Sequence, residues 1–247
     1  MKLDHIVHFI NRSPQEIVDH LSVMNIKAVK GGRHEKWGTY NSLLYLNSSY
    51  IEFLAIENKA TAVQSENPLI QQAVQDIATF EGLGQVCFRT ENIEVLKQEL
   101  NEKGYKTYPI FPGERMRSDG QLIRWKMLFL QAKRKVPFPF FIQWEQDDHT
   151  RYEEFKTLGM IDQKLIHTKV KDIVYNVESP EETAEEWCEL FQGKQQGTNV
   201  MIADVSFKFD AYNEKHACKN RPVYITLQPF LKNEKTIQLF GSSYHSL

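Results

Sequence analysis

The chain has 247 residues, 41% of them hydrophobic and 25% charged, close to ordinary globular composition. Its 30 Lys+Arg against 32 Asp+Glu give a formal net charge of −2, which argues against nucleic-acid binding driven by a basic surface. No apolar run approaches the ~20 residues of a bilayer span, and Met1–His5 reads directly into a strand rather than a signal peptide. Cys87, Cys188 and Cys218 are few and widely spaced, with no CxxC pair. They fit a reducing cytoplasm and exclude a disulfide or zinc-finger scaffold.

In chain order, a strand-like run at Leu3–Ile10 leads into Ser13-Pro14-Gln15-Glu16, a capping box with Pro at the first helical position. Ile17, Val18, Leu21 and Met24 follow at helical spacing, and Asn25 is a left-handed stop. Strands are expected at 26–29, 41–46 and 50–56. Asn67-Pro68-Leu69-Ile70 opens a connector helix over 66–80. The order then repeats: a strand at Leu83–Thr90, a helix from Asn92, and strands at 106–110, 122–130 and 138–144. A more polar connector over 148–160 precedes a third round: Val170–Val177, the Ser179-Pro180-Glu181-Glu182 box, and strands at 201–209, 222–228 and 236–240. Three βαβββ modules are therefore predicted, at about 1–60, 82–147 and 165–247, in an α+β fold. The first two form one domain over 1–147, and the third module occupies 165–247.

A βαβββ unit leaves one sheet face open, and two such units side by side enclose a cup. Side chains alternate along a strand, so matching mid-strand positions can point inward together. The matching residues are His5 and Glu52, Gln85 and Gln143, and Asp172 and Gln238, all polar within apolar runs. Such residues need a partner or a cavity. His5 reads either as a site residue or as a core histidine bonded to a carbonyl. His8 stands in reserve, since a one-residue slip swaps faces. Asp172 and Gln238 would form a second cup only against another sheet, as in a homodimer.

The LDHIVHF opening and the Ile51-Glu52-Phe53-Leu54 strand, with the paired modules, resemble the vicinal-oxygen-chelate superfamily, which includes glyoxalase I, extradiol dioxygenases and bleomycin-resistance proteins. Further segments resemble its glyoxalase-like domain branch: Gly31-Gly32-Arg33-His34, Trp37-Gly38-Thr39-Tyr40-Asn41, Asp119-Gly120 with Arg124-Trp125, and Pro137–Trp144. The resemblance covers about residues 1–147. In metal-dependent members, the first-strand His and fourth-strand Glu of both units chelate one divalent ion. It therefore implies His5 and Glu52 as ligands of Zn, Mn, Fe or Ni. Gln85 and Gln143 stand where the second His and carboxylate would be, and an amide oxygen is a weaker donor. Two readings stay open. One is metal-assisted isomerase, lyase or dioxygenase chemistry on a small oxygenated metabolite. The other is a metal-free cup that sequesters a small molecule, as bleomycin-resistance proteins do.

His34, Thr39 and Asn41 are ligand-binding candidates at the cup mouth, though each also reads as an ordinary turn or strand-edge residue. Arg115 and Arg117 read as a solvated hairpin tip. Arg124 alternates with Ile123 and Trp125, and on the cup face its planar fork would hold a carboxylate or carbonyl oxygen. Trp125, Phe138, Phe140, Phe141 and Trp144 supply aromatic surface for a pocket wall. No GxSxG, P-loop or GxGxxG motif is present.

Overall fold

The run Lys2–Phe9, buried from Leu3 onward, forms β1, and the capping box starts α1 (Pro14–Val23). Ser13 Oγ accepts from Glu16 N at 3.4 Å and Ser13 N donates to Glu16 Oε1 at 3.0 Å, so two orphan donors are met. Three antiparallel strands follow: β2 (Val29–His34), β3 (Thr39–Tyr45) and β4 (Tyr50–Ile56). β4 runs parallel to β1. After α2 (Lys59–Val63) and α3 (Pro68–Ile77), the unit repeats as β5 (Gly82–Arg89), α4 (Ile93–Glu102), β6 (Phe111–Met116), β7 (Leu122–Leu128) and β8 (Phe140–Trp144). This computed structural model describes residues 1–117, 120–131, 134–216, 218–230 and 236–247. Asp119 of the Asp119-Gly120 motif lies outside them.

The strand expected at 106–110 is reduced to a single bridge between Thr107 and Leu130. Pro109 lacks the N–H a ladder needs, and regular pairing begins only at Phe111. The two units join through antiparallel β1 and β5, and their far edges meet where Arg33 faces Met116. The result is a closed barrel in the order β1-β4-β3-β2-β6-β7-β8-β5. α3 does more than connect the units. Its Leu69, Ile70 and Ala73 join the apolar cluster of Val7, Leu54, Met127 and Phe140 inside the barrel.

α5 (Asp148–Thr157) leads to the remaining strands. β9 (Lys169–Val177), α6 (Pro180–Phe191), β10 (Lys194–Gln196), β11 (Asn199–Ile202) and β12 (Val205–Ala211) complete a third βαβββ unit. Its pairing β9-β12-β11-β10, with β9 and β12 parallel, repeats β1-β4-β3-β2. Ser179 makes no side-chain cap bond here; its carbonyl accepts from Thr183 Oγ1 at 2.7 Å instead. β13 (Arg221–Gln228), β14 (Thr236–Leu239) and β15 (Ser242–Ser246) then extend the same sheet, with β13 antiparallel to β9 as β5 is to β1. The strands expected at 222–228 and 236–240 thus belong to a shortened fourth unit. Asp172 therefore has its sheet continued within the chain, and it pairs with Lys208 at 2.9 Å.

This second sheet packs on the outer face of β1 and β5, so one core runs through both halves. Trp187 of α6 is fully buried there among Tyr175, Phe207 and Phe209. His8 points into this joint: Tyr244 Oη donates to its Nδ1 at 2.7 Å, and its Nε2 donates to the Phe240 carbonyl at 2.9 Å. Among the described residues no helix is long and apolar enough to cross a membrane.

Candidate functional site

The barrel interior holds a cavity of about 40 Å³. That is room for about three water molecules, so it takes a head group rather than a large ligand. Its polar wall is His5, His34, Asn41, Glu52 and Arg115, and its apolar wall includes Trp37, Trp125, Trp144, Tyr50 and Phe140.

His5 is 3% exposed. Its Nδ1 donates to Asp4 Oδ1 at 2.6 Å, which leaves Nε2 facing Glu52 Oε2 at 3.5 Å. Its ring stacks on Tyr50 with centroids 4.6 Å apart. Burial alone would raise the Asp4 pKa. The hydrogen bond and charge of His5, then the charges of Arg151 and Arg89, outweigh it and hold the carboxyl well below the usual range. Asp4 Oδ2 also accepts from Trp144 Nε1 at 3.0 Å.

Glu52 is fixed from the other side by Asn41, whose Nδ2 donates to Glu52 Oε1 while its Oδ1 accepts from Gly32 N at 3.0 Å. The close approach requires glycine at 31, where a Cβ would lie 1.9 Å from Asn41 Oδ1. His34 Nδ1 shares a hydrogen bond with Thr39 Oγ1 at 3.0 Å. Burial, helped by the Arg115 charge, pulls the His34 pKa down to about 3, so this imidazole stays neutral.

Arg115 and Arg117 depart from the expected solvated tip: they are 6% and 5% exposed. β6 alternates, with Gly113 and Arg115 inward and Pro112, Glu114 and Met116 outward. Arg117 pairs with Glu154 at 2.6 Å. Arg115 donates to the Gly31 carbonyl and bonds the Tyr45 hydroxyl, and it has no carboxylate partner among the described residues. Phe111–Arg117 carries no apolar–polar alternation in its sequence, and Met116 faces outward while Arg115 faces inward, so no local signal marks this arginine.

Arg124 is on the opposite face. Its side chain is 54% exposed, 3.8 Å from both Glu114 and Glu145. Gln143 also faces outward, and its Oε1 caps α4 by accepting from Ile93 N at 3.0 Å. Phe141 lies beside Phe191 in the outer core. The residues of β8 that face the cup are Phe140, Ile142 and Trp144. Gln85 is buried on the inner face opposite Val7, but it bonds Gln72 of α3 at 3.2 Å rather than reaching the cavity. Opposite His5 stands Cys87. Of the predicted residues, the cavity therefore unites His5, Glu52, His34, Asn41 and Trp125, with Thr39 behind His34.

Asp4, His5 and Cys87 bring three ligand-type atoms within 4.8 Å of one another. Their chemistry does not suit a divalent ion. Burial first, then the Asp4 and Glu52 charges, push the Cys87 thiol well above its ordinary pKa, so an ion there would have to displace its proton against that burial. Asp4 is already engaged by His5 and Trp144. In the cup itself His5, His34 and Glu52 are of ligand type, all from the first unit, but among the described residues their ligand atoms do not gather as a set within 4.8 Å, and the second unit contributes aromatic and aliphatic groups plus the Arg115 guanidinium. A cation beside Arg115 is further disfavoured by like charge. The set falls short of the chelate implied by the resemblance.

A solved structure of a hypothetical protein from Staphylococcus aureus is similar over 100% of this chain and 98% of that one, with 22% identity and a TM-score of 0.82. The fold is thus shared along the full length. A methylmalonyl-CoA epimerase variant from Streptomyces coelicolor, in complex with 2-nitronate-propionyl-CoA, has 17% identity and a TM-score of 0.44 over 59% of this chain and 99% of that one. The epimerase from Mycobacterium tuberculosis has 12% identity and a TM-score of 0.42 over 61% of this chain and 91% of that one. No curated protein sequence matches this chain. The model of the glyoxalase-like domain matches residues 3–191, more than half of the sequence, and the chain belongs to that family.

Proposed function

We propose that the barrel cup binds a small oxygenated metabolite through its anionic or carbonyl oxygen, without a metal. The observation that carries this reading is Arg115: a 6% exposed guanidinium lining the cavity, with no carboxylate partner among the described residues. A buried cation without a counter-ion is costly, and a ligand carboxylate would supply the missing charge through a two-pronged bond. Glu52 and His5 give the ligand an acceptor and a polarised imidazole on the opposite wall, and Trp125, Trp37 and Trp144 close over its carbon skeleton. The three free thiols support a reducing, cytoplasmic setting.

The test is a thermal-shift screen of the full chain against short 2-oxo and 2-hydroxy acids and their neutral amides, with elemental analysis of protein purified without a metal-affinity tag. The expected result is stabilisation by acids and not by amides, lost in Arg115→Met. Stoichiometric Zn, Mn, Fe or Ni that disappears in the His5→Ala/Glu52→Ala variant would overturn the metal-free reading. Equal stabilisation of wild type and Arg115→Met would overturn the assignment of Arg115.

A further inference from the structure

Outside the barrel lies a groove of about 320 Å³, between the 46–49 turn and α5. Its size is that of a small-molecule pocket. Tyr45, Tyr152 and Phe155 give it aromatic walls, and Arg89 and Arg151 bring guanidinium groups to it. We propose that this groove is a second binding site, for a small organic anion with a carboxylate or phosphate on a flat apolar body.

Arg151 carries the argument. Its side chain is 9% exposed. Its guanidinium lies over the Trp144 ring at 3.8 Å and within 5.6 Å of the Phe155 ring centre, while the nearest carboxylate oxygen, Asp4 Oδ2, is 3.9 Å away. Among the described residues the guanidinium makes no hydrogen bond. Asp4 meets it only as an ion pair at 3.9 Å, beyond hydrogen-bond reach, while its oxygens accept from His5 Nδ1 and Trp144 Nε1. The Arg151 N–H donors open to the groove without a protein acceptor among the described residues, so an oxyanion there would take the place of water on them. Arg89 differs: it donates to the Ser48 carbonyl at 2.9 Å and meets Asp148 at 2.7 Å. Asp148 also lies 3.6 Å from Lys2. The groove's two acids, Asp4 and Asp148, face three cations, Arg89, Lys2 and Arg151, so one positive charge remains over. An oxyanion in the fork would bond bidentately, and its apolar body would rest on Tyr152 and Phe155.

The experiment is a ¹⁵N-HSQC titration of the full chain with benzoate and with phenyl phosphate, with uncharged benzamide as the control. Saturable shifts of the Ser48, Arg151 and Tyr152 amides are expected with at least one anion, and whichever binds more tightly identifies the head group. Benzamide should bind at least tenfold more weakly. Arg151→Gln should weaken the anion at least tenfold. Ser48→Glu, at an exposed rim position, should also weaken it by adding negative charge without disturbing buried contacts, which covers the case in which Arg151→Gln unfolds. Glu52→Gln, in the cup, should leave groove affinity unchanged. The proposal is overturned by the lack of saturable groove shifts with both anions, by benzamide binding as tightly as benzoate, or by unchanged affinity in the folded variants.

Discussion

Asp76 and Arg221, 145 residues apart, form a two-pronged ion pair at 2.7 and 3.0 Å that ties α3, the helix inside the barrel mouth, to β13 of the second sheet. Their side chains are 8% and 15% exposed. Breaking one side of such a buried pair strands the other charge. Arg221→Met is therefore expected to cost about 3 kcal/mol. The double variant Asp76→Leu/Arg221→Met should be less destabilised than Arg221→Met alone, because no lone charge remains. Urea unfolding of the wild type, both single variants and the double variant, read as a double-mutant cycle, checks both statements.

Stability should fall on mild acidification. Burial lowers the His8 pKa to about 4, against the opposing bond to the Phe240 carbonyl, and burial with Arg115 lowers that of His34 to about 3. Both folded values lie below the ordinary 6.5, so the unfolded chain binds more protons as pH drops below that value. The sign is therefore a loss of stability from pH 6.5 downward, roughly 2 kcal/mol per histidine between pH 7 and pH 5. Asp4 adds its own loss at lower pH, from the usual carboxylate range downward, because its folded pKa lies below the ordinary value. His8→Gln should be less stable at pH 7, having lost the Tyr244 and Phe240 bonds, yet show about half the slope between pH 7 and pH 5. An unchanged slope in urea midpoints over that range would show that His8 is not buried as a neutral group.

Gly31→Ala tests the packing behind Glu52. The added methyl would sit 1.9 Å from Asn41 Oδ1, so the carboxamide must move off Gly32 N and Glu52. Overpacking of this kind costs about 1–3 kcal/mol. The ligand response of the cup should weaken with it, because Glu52 loses the donor that orients it. Asn41→Ala in the Gly31→Ala background should recover stability but not ligand binding. Thermal melts with and without ligand separate the two effects.

Much of the fold is legible in the sequence because it rests on local chemistry. The Ser13–Glu16 box, the Pro-initiated helices and the short runs of β-branched and aromatic residues in β1 and β4 all depend on neighbours within a few residues. His5 and Glu52 are legible for the same reason, as polar residues within short apolar strands. The second unit is harder. In Phe138–Trp144 both faces are buried, Phe140 and Ile142 inside the barrel and Phe141 in the outer core. A strand that is apolar on both faces gives no alternation from which to fix register, and a one-residue slip exchanges inside for outside. Such a slip separates the inward positions expected for Gln143 and Phe141 from their outward places in the fold. The pairing of α3 with the barrel interior, and of Asp76 with Arg221, is tertiary and leaves no local trace.

The contrast between Arg115 and Arg124 follows from the same alternation and gives the most economical check on the site. The two strands pair so that Glu114 faces Arg124 and Gly113 faces Trp125, which puts Arg124 outside the barrel and Trp125 inside it, on the face Arg115 shares. Arg124 meets Glu114 and Glu145 only at 3.8 Å while half exposed, a geometry worth little in water. Arg124→Ala should therefore change stability by less than about 0.5 kcal/mol and leave the acid-induced thermal shift intact. Arg115→Met keeps the apolar stem and removes the charge, so it should leave the fold standing and abolish that shift. The reverse pattern, with Arg124 decisive and Arg115 silent, would mean that the ligand meets the outer face of β7 and that the cavity behind Trp125 serves only packing.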